Sequence, residues 1–302
     1  MNKYLVSILG PTAIGKTKLA IELAEKYSTE IISADSRQFY SELNIGAAKP
    51  SHEDLNKVKH HLINNKSVID NYSIGEFEKD AIENIKKIHE KTDVAILVGG
   101  SGLYLDVINY GLDQIPKSDE NIRNILNNDF KLKGLDHIQN ELKKKDLISF
   151  KNIDLNNHRR IIRALEVTIS SGKPYSSFLK KKNIKRNFKT IEIGLKDDRE
   201  LIYNRINTRV DKMIKDGLVN EVNGLVQHKE LNSLNTIGYK EIFNYLIGKS
   251  DLDNAINEIK KNTRRYAKRQ MTWFNSNNNI IWFKANYKIE DIVKCIDDLI
   301  SY

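Results

Sequence analysis

The first stretch of the chain that could do chemistry runs from Gly10 to Thr17 and matches the pattern G-x-x-x-x-G-K-[ST]. The glycines of this pattern let backbone N–H groups curl around phosphate oxygens. The following helix N-terminus adds partial positive charge, Lys16 supplies a full charge, and the Thr17 hydroxyl can hold Mg²⁺. The pattern therefore predicts a loop that binds a diphosphate or a triphosphate, without saying which, formed by Gly10, Pro11, Thr12, Ala13, Ile14, Gly15, Lys16 and Thr17.

The second chemical feature is the acidic residue Asp35. It follows a different strand from the one that carries the Mg²⁺-binding carboxylate in nucleotide hydrolases and kinases. Such sites usually need a carboxylate after a neighbouring apolar strand to hold Mg²⁺. The apolar run Val94 to Val98 ends instead in Gly99-Gly100-Ser101, whereas Asp35 follows the run Ile31 to Ser33. Because the carboxyl ends of parallel strands meet at one crevice, we expect Asp35 beside the phosphate loop. Asp35 could equally be a helix N-cap, and its position leaves the two interpretations open.

The elements that must position these residues alternate between strand and helix. Alternation of this kind predicts a P-loop-type α/β core, in which a buried parallel sheet is flanked by helices. Apolar runs predict strands, and apolar residues at helical spacing predict helices. The predicted strands are Tyr4 to Leu9, Glu30 to Ser33, Asp93 to Val98 and Lys189 to Leu195, and the predicted helices of this core are Thr17 to Tyr27, Ile74 to Lys91, Glu200 to Ile214 and Leu218 to His228.

A polar, basic and helical region interrupts this core. The segments Asp119 to Lys145 and His158 to Ser171 have helical spacing, and no clear strand lies between them. We therefore predict a helical insertion domain at residues 116–188, within a catalytic core made of residues 1–115 and 189–302 that ends in C-terminal helices.

The positive charge of the chain is concentrated in two places. The net charge is +9, and residues 116–190 carry 18 lysines and arginines against 8 acids. A second cluster from Lys260 to Arg269 contains six cations, and no acid occurs from Lys260 to Phe274. Two such clusters favour a polyanionic partner, because clustered cations gain affinity by releasing phosphate counterions. The alternative interpretation of each cluster is a solvated face.

Composition narrows the class of protein further. No stretch approaches the roughly 18 apolar residues that a membrane span needs, and the beginning of the chain lacks a signal-peptide pattern. The single cysteine, Cys295, rules out an internal disulfide or a cysteine-cluster metal site. Adjacent histidines at His60-His61 predict a structural role or a pocket wall rather than a metal site. We expect a cytoplasmic protein, with a monomer as the default state and no membrane partner.

Taken together, the motifs make the chain resemble the tRNA dimethylallyltransferases, also called tRNA isopentenyltransferases, of the bacterial type. The departures from the usual family pattern are mild and fall at Ile14, Ala47 and Ser101, and in the stretch 63–67, which lacks the usual acidic and proline residues. The resemblance runs nearly end to end through Gly10 to Thr17, Asp35 to Tyr40, Gly46 to Pro50, His60 to Leu62, Gly99 to Tyr104, Arg159 to Glu166, Arg209-Val210, Ile237 to Glu241 and Tyr266 to Phe274.

The resemblance implies a reaction in which a dimethylallyl group moves from dimethylallyl diphosphate to N6 of the adenosine at tRNA position 37, and diphosphate leaves. It implies Mg²⁺ as the cofactor, the tRNA anticodon stem–loop as the partner and Thr17 as a metal ligand. Asp35 would be the general base, Gln38 would read the adenine edge, and Arg209 would help hold the diphosphate. The implied catalytic residues are Asp35, Lys16, Thr17, Ser101 and Arg209, and the implied tRNA-binding residues are Asp35, Ser36, Arg37, Gln38, Ser101, Arg123, Arg159, Arg160, Ile161, Ile162 and Arg163.

The same sequence features are compatible with three other functions. A nucleotide or small-molecule kinase would explain the phosphate loop but not the two basic clusters. A nucleic-acid-binding module would bind RNA without forming a product. A transferase acting on free adenylate would share the core chemistry but would not need a large basic insert. For individual residues, Arg160 and Arg163 could lie on a solvated helix face, and Arg209 could form a surface salt bridge.

Overall fold

The protein is built around one six-stranded sheet in which all strands are parallel. The structure is a computed structural model that describes residues 2–117, 119–179 and 184–301. The strand order is β3-β2-β4-β1-β5-β6. The strands are β1 (Tyr4–Leu9), β2 (Ile31–Ser33), β3 (His60–His61), β4 (Val94–Val98), β5 (Lys189–Lys196) and β6 (Ile281–Lys284). The predicted parallel α/β fold is confirmed.

Helices flank this sheet and make up the insertion. No helix within the described residues is both long and apolar enough to cross a membrane. The helices are α1 (Lys16–Lys26), α2 (His52–Lys57), α3 (Ile74–His89), α4 (Gly102–Tyr110), α5 (Glu120–Lys133), α6 (Leu135–Lys145), α7 (Leu147–Asn152), α8 (His158–Ser171), α9 (Arg199–Lys215), α10 (Leu218–Asn223), α11 (Tyr239–Leu246), α12 (Leu252–Phe274) and α13 (Ile289–Ser301).

The central strands are apolar because helices cover the sheet. Every residue of β1 and of β4 is buried, as expected for parallel strands that water reaches on neither face. On one face, Leu19 and Leu23 of α1 and Ile292 of α13 pack with Val6 and Ile8 of β1 in the main hydrophobic core. This packing holds the carboxyl end of β1, where the phosphate loop begins.

The histidine pair forms the edge strand β3, which the sequence did not predict. His61 Nε2 lies 2.6 Å from Glu30 Oε2 and His60 Nδ1 lies 2.8 Å from the Val58 carbonyl oxygen. Burial lowers the pKa of His60. Each imidazole ring thus has one hydrogen-bond partner within the protein, which favours the structural role.

The chain divides into two compact units, Met1–Asn109 with Lys185–Tyr302, and Tyr110–Ile184. The second unit overlaps residues 116–188, which the sequence predicts as the insert, but it begins and ends earlier in the chain. The helix predicted over 119–145 is two helices, because Gly134 adopts a left-handed φ of 81° between α5 and α6. Of the predicted units, Met1, Ser118, the basic stretch at 180–183 and Tyr302 lie outside the described residues.

The insert has its own hydrophobic core. Leu126 of α5, Ile138 and Leu142 of α6, and Ile161 and Leu165 of α8 are buried together. The helices of the insert therefore present their polar faces outward from a packed apolar centre.

Candidate active site

The loop between β1 and α1 has the geometry of an anion cradle. Ala13 and Gly15 have left-handed φ values of 64° and 107°, which turn the backbone N–H groups toward one side. At Gly10 a Cβ atom would lie 2.5 Å from the Leu195 carbonyl oxygen, so only glycine fits there. Because glycine at the N-cap of α1 supplies no side-chain acceptor, the first N–H groups of the helix remain available to an anion.

Lys16 spans this loop. Its Nζ donates a hydrogen bond to the Pro11 carbonyl oxygen at 2.8 Å. Burial, which is the largest cause, and the nearby Arg209 together lower the pKa of Lys16 to about 7, and Asp35 opposes both effects. An anion placed here would favour the charged ammonium form, so the local electrostatics suit a negatively charged ligand.

Arg209 reaches the same loop from α9. Its Nη1 donates to Thr12 Oγ1 at 3.3 Å. The side chain keeps accessible surface because it borders a cavity, yet enough protein surrounds the guanidinium to lower its pKa. Arg209 therefore adds a second positive charge beside Lys16.

Two cavities open around these residues. The first has a volume of about 290 Å³ and the second about 470 Å³. Asp35, Thr12 and Arg209 border both of them. The first cavity is lined by residues 12–18, Asp35, Gln38, Ala47, Ala48, Val98, Gly99, Gly100 and Arg209. The structure thus brings Asp35 to the phosphate loop, as its position after β2 predicts, and places Gln38 and Arg209 in the same lining.

Asp35 lies just beyond the carboxyl end of β2. Its Oδ1 accepts a hydrogen bond from the Arg37 backbone N–H at 2.9 Å, which makes an Asx turn. Residues 36–39 form a turn rather than a helix, so Asp35 is not a helix N-cap. A carboxylate has about four acceptor positions, and this turn uses one of them. The group therefore keeps capacity to accept a proton from a ligand in either cavity.

Gln38 is held in a defined orientation. Its Oε1 accepts from Ser33 Oγ at 2.9 Å, and its Nε2 donates to the Ala48 carbonyl oxygen at 3.3 Å. An amide has two acceptor positions and two N–H groups, so one of each is left for a ligand. Arg37 is tied to the protein, because its Nη1 donates to the Ser233 carbonyl oxygen at 2.7 Å. Ser36 and Arg37 line the larger cavity.

Ser101 follows β4 and opens α4, where its carbonyl oxygen accepts the Leu105 N–H at 3.2 Å. Among the described residues, the lining of the two cavities reaches Gly100 but does not include Ser101. At Gly102 a Cβ atom would lie 2.2 Å from the Trp273 ring, so α12 packs closely on the start of α4. Ser101 is thus next to the site without lining it.

The basic residues of the insert separate into two groups. Arg159 and Arg160 are exposed in the first turn of α8. Arg123 donates to Glu166 Oε2 at 2.9 Å from Nη2, and Arg163 Nη1 lies 3.4 Å from the same oxygen. Glu166 is fully buried. Arg123 and Arg163 therefore neutralise a buried carboxylate, which sequence reasoning did not anticipate and which excludes a purely solvated face for Arg163.

One part of the predicted tRNA-binding set needs correction. The side chains of Ile161 and Ile162 are buried, Ile161 completely, and both belong to the hydrophobic core of the insert. Because side chains packed in a core cannot touch a nucleic acid outside it, the prediction that they contact tRNA is wrong for their side chains. They hold α8 in place and so orient its exposed arginines.

The C-terminal basic cluster on α12 also divides. Lys260 pairs with Asp211 at 2.6 Å, Lys261 pairs with Glu258, and Arg264 donates to Asn207 Oδ1 at 2.7 Å. The other three cations, whose side chains are exposed, are Arg265, Lys268 and Arg269. Three of the six cations therefore bind other side chains of the protein, and the other three are exposed and accessible to a partner.

The comparisons with known proteins agree with one another. The family model described as IPP transferase matches residues 38–277. The chain is 52% identical over 301 residues to the tRNA dimethylallyltransferase of Christiangramia forsetii, with 100% of both chains covered. It is 48% identical over 300 residues to the protein of the same name from Flavobacterium johnsoniae, with 97% of each chain covered.

Solved structures give the same result for the fold. The tRNA isopentenylpyrophosphate transferase of Bacillus halodurans matches with a TM-score of 0.72 at 37% identity, covering 100% of this chain and 96% of that one. A eukaryotic dimethylallyltransferase described as acting on tRNA matches with a TM-score of 0.84 at 27% identity, covering 99% of this chain and 80% of that one.

Proposed function

The chain belongs to the IPP transferase family, and from that premise we propose the details of its reaction. It is a transferase that carries out prenyl transfer to tRNA. The prenyl donor is dimethylallyl diphosphate, the acceptor is N6 of the adenosine at tRNA position 37, and diphosphate is the leaving group. One observation carries this proposal. The phosphate loop with Lys16, the carboxylate of Asp35 and the guanidinium of Arg209 meet around two neighbouring cavities.

The leaving-group side of the site is positive. Breaking the bond between the prenyl carbon and the diphosphate oxygen leaves negative charge on the diphosphate. Residues 13–17 and Arg209 line the cavity where that charge would develop, and Lys16 and Arg209 are held there by hydrogen bonds to Pro11 and Thr12. Preorganised donors of this kind stabilise a transition state without having to reorganise.

The acceptor side of the site holds the base. An exocyclic adenine amine is a poor nucleophile, because its lone pair is delocalised into the ring. Asp35 would accept the N6 proton as the new carbon–nitrogen bond forms, and Gln38 would pair with the adenine edge through its remaining acceptor and donor positions. The adenosine must leave the stack of the anticodon loop to reach these groups.

We propose that Thr17 and the diphosphate oxygens together hold Mg²⁺. Among the described residues, no group of three or more His, Cys, Asp or Glu side chains could hold a metal ion. This fits Mg²⁺, which commonly takes one or two protein ligands and completes its shell with substrate phosphates and water. Thr17 lines the same cavity as the phosphate loop. The ion would supply further positive charge against the departing diphosphate.

Other properties follow from a tRNA substrate. The exposed cations Arg159 and Arg160 of the insert, and Arg265, Lys268 and Arg269 of α12, would contact RNA phosphates. Because such contacts read mostly shape, selection of the adenosine would fall to the cavity. We propose that the protein works as a monomer in the cytoplasm, where tRNA is modified. A kinase function is not favoured, since the comparisons point to tRNA prenyl transfer.

The reaction itself is tested with dimethylallyl diphosphate labelled in the prenyl group and an unmodified anticodon stem–loop. We expect label in the RNA, located on N6 of adenosine 37 by nuclease digestion and chromatography. A stem–loop with guanosine at that position is the matched control and should take up no label. Consumption of ATP without transfer of label would contradict the proposal and support a kinase.

The binding of diphosphate should depend on pH through Lys16. Because the pKa of Lys16 in the free protein is about 7, the charged form that diphosphate prefers dominates below that pH. The affinity should therefore be highest below about pH 7 and fall as the pH rises, by at most about tenfold per unit. Calorimetric titration with inorganic diphosphate measures this, and Lys16→Arg, which stays charged, should lose this part of the pH dependence. The same pH profile in both proteins would show that Lys16 is not its source.

The two groups of arginines in the insert should respond differently to substitution. Arg159→Ala or Arg160→Ala should weaken binding of the stem–loop and reduce the salt dependence of the affinity by about one counterion each, without changing stability. Arg123→Met should instead lower the free energy of unfolding by about 1 to 3 kcal/mol, because it removes a partner of the buried Glu166 carboxylate. Filter binding across salt concentrations and thermal unfolding distinguish the two effects. An unchanged salt slope in both exposed-arginine variants would rule out phosphate contacts by them.

A further inference from the structure

Gln270, near the end of α12, joins the two loops that form the floor of the phosphate site. Its Oε1 accepts a hydrogen bond from the Thr12 backbone N–H at 2.9 Å. Its Nε2 donates to the Gly100 carbonyl oxygen at 2.7 Å. The side chain is only 5% exposed. One amide thus satisfies a donor of the loop after β1 and an acceptor of the loop after β4.

The bond to Thr12 determines which groups of the loop can meet a ligand. It commits the Thr12 N–H to the protein, so that the anion cradle consists of the N–H groups that follow it. It also fixes the backbone that carries the Thr12 hydroxyl, which accepts a hydrogen bond from Arg209 Nη1 at 3.3 Å. The amide of Gln270 is therefore connected through Thr12 to a cation of the site.

The contact with Gly100 leaves no room for a Cβ atom unless the end of the Gln270 side chain moves. A Cβ atom at position 100 would lie 2.4 Å from Gln270 Nε2 and 3.6 Å from Lys16 Nζ. The Gln270 amide and the Lys16 ammonium thus both lie beside the Gly100 backbone. Displacing the amide would disturb both the loop and the lysine that spans it.

We propose that Gln270 is a positioning residue for the diphosphate site, acting through Thr12, Arg209 and Lys16 rather than by touching the substrate. This inference rests on the proposed function, which assigns diphosphate to that site. Without the amide, the Thr12 N–H and the Gly100 carbonyl would lose these hydrogen-bond partners, and the loop would relax to find others. Small displacements of positioned groups are costly, of the order of 100-fold in rate for about 1 Å.

The test compares Gln270→Met, which keeps the size of the side chain but forms neither hydrogen bond, with Thr272→Ala on the exposed side of the same helix. We expect the Kd of inorganic diphosphate and the KM of dimethylallyl diphosphate to rise about 10- to 100-fold in Gln270→Met. The Kd of the anticodon stem–loop should stay within about twofold, and Thr272→Ala should match the wild type in every measurement. If Gln270 had only a structural role, its loss would weaken the binding of diphosphate and of RNA together, and not the binding of diphosphate alone.

A second variant approaches the amide from the other side. Gly100→Ala would displace the flexible end of Gln270 while leaving the residue in place, and it should weaken diphosphate binding in the same way. In a Gln270→Ala background the added methyl group has no amide to displace, so the double variant should bind diphosphate no worse than Gln270→Ala alone. Additive losses from the two substitutions would overturn the coupling.

Two failures remain distinguishable. If the wild-type protein does not bind inorganic diphosphate, the proposed site itself is wrong. If the wild type binds it and Gln270→Met binds it equally well, only the inference about Gln270 is overturned. Equal losses of diphosphate and RNA binding together with a lower melting temperature would assign Gln270 to general stability and would also overturn the proposal.

Discussion

Replacing Asp35 with asparagine should lower kcat for prenyl transfer by about 10²- to 10⁴-fold, the range typical of a lost general base. Asparagine has nearly the same shape, and its amide oxygen can still accept the Arg37 N–H that Asp35 Oδ1 accepts at 2.9 Å. The turn after β2 should therefore persist, and only the ability to take a proton is lost. Single-turnover transfer of labelled dimethylallyl groups to a stem–loop measures the effect directly.

Asp35→Ala provides the comparison for this prediction. It removes the base and also the acceptor that holds the turn, so it should lower kcat at least as much as Asp35→Asn and should in addition weaken RNA binding. Both variants should bind inorganic diphosphate close to normally, because the phosphate loop is intact. A kcat for Asp35→Asn within about threefold of the wild type would exclude Asp35 as the base.

Replacing Lys16 with methionine should lower kcat/KM for dimethylallyl diphosphate by about 10²- to 10³-fold, as the loss of one preorganised stabilising group does in other enzymes. Lys16 donates to Pro11 across the loop and shares its cavity with Arg209 and Asp35. Methionine keeps a similar length without the charge. The effect should appear in kcat as well as in KM, because the leaving diphosphate carries more charge at the bridging oxygen in the transition state than in the bound substrate.

Lys26 is the matched control for Lys16. It ends the same helix about 15 Å along the axis, is exposed and lines neither cavity. Lys26→Met should change kcat/KM by less than about twofold, since solvent and salt screen an exposed charge at that distance. Comparable losses from both substitutions would mean that general charge, and not the position of Lys16, attracts the donor.

The phosphate loop, the site of Asp35 and the central strands could be predicted because each depends on local pattern. Residues 10–17 carry their own turn chemistry. β1 and β4 are apolar except for Ser7, as expected of strands that helices cover. The edge strand β3 has only two residues. A segment that short has no periodicity, so its pairing with β2 was not predictable from the sequence.

The basic clusters show where local pattern stops being informative. Arginines at 123, 159, 160 and 163 look equivalent in the sequence, yet Arg123 meets Glu166 across 43 residues of chain and Arg160 remains exposed. A run of cationic residues shows that positive charge is concentrated in a segment. It does not show which of those residues form ion pairs within the folded protein. Only the packing of α5 on α8 separates the two groups.

Short motifs and hydrophobic patterning along the chain are enough to predict the family, the parallel α/β fold and the residues with reactive groups. How those groups are supported depends on long-range packing. Gln270 lies 258 residues from Thr12 in the chain, yet its side chain accepts the hydrogen bond of the Thr12 N–H. Ile161 and Ile162 pack in the core of the insert rather than against a partner. Contacts between residues so far apart depend on how helices and strands pack in space, and no local pattern in the sequence records that packing.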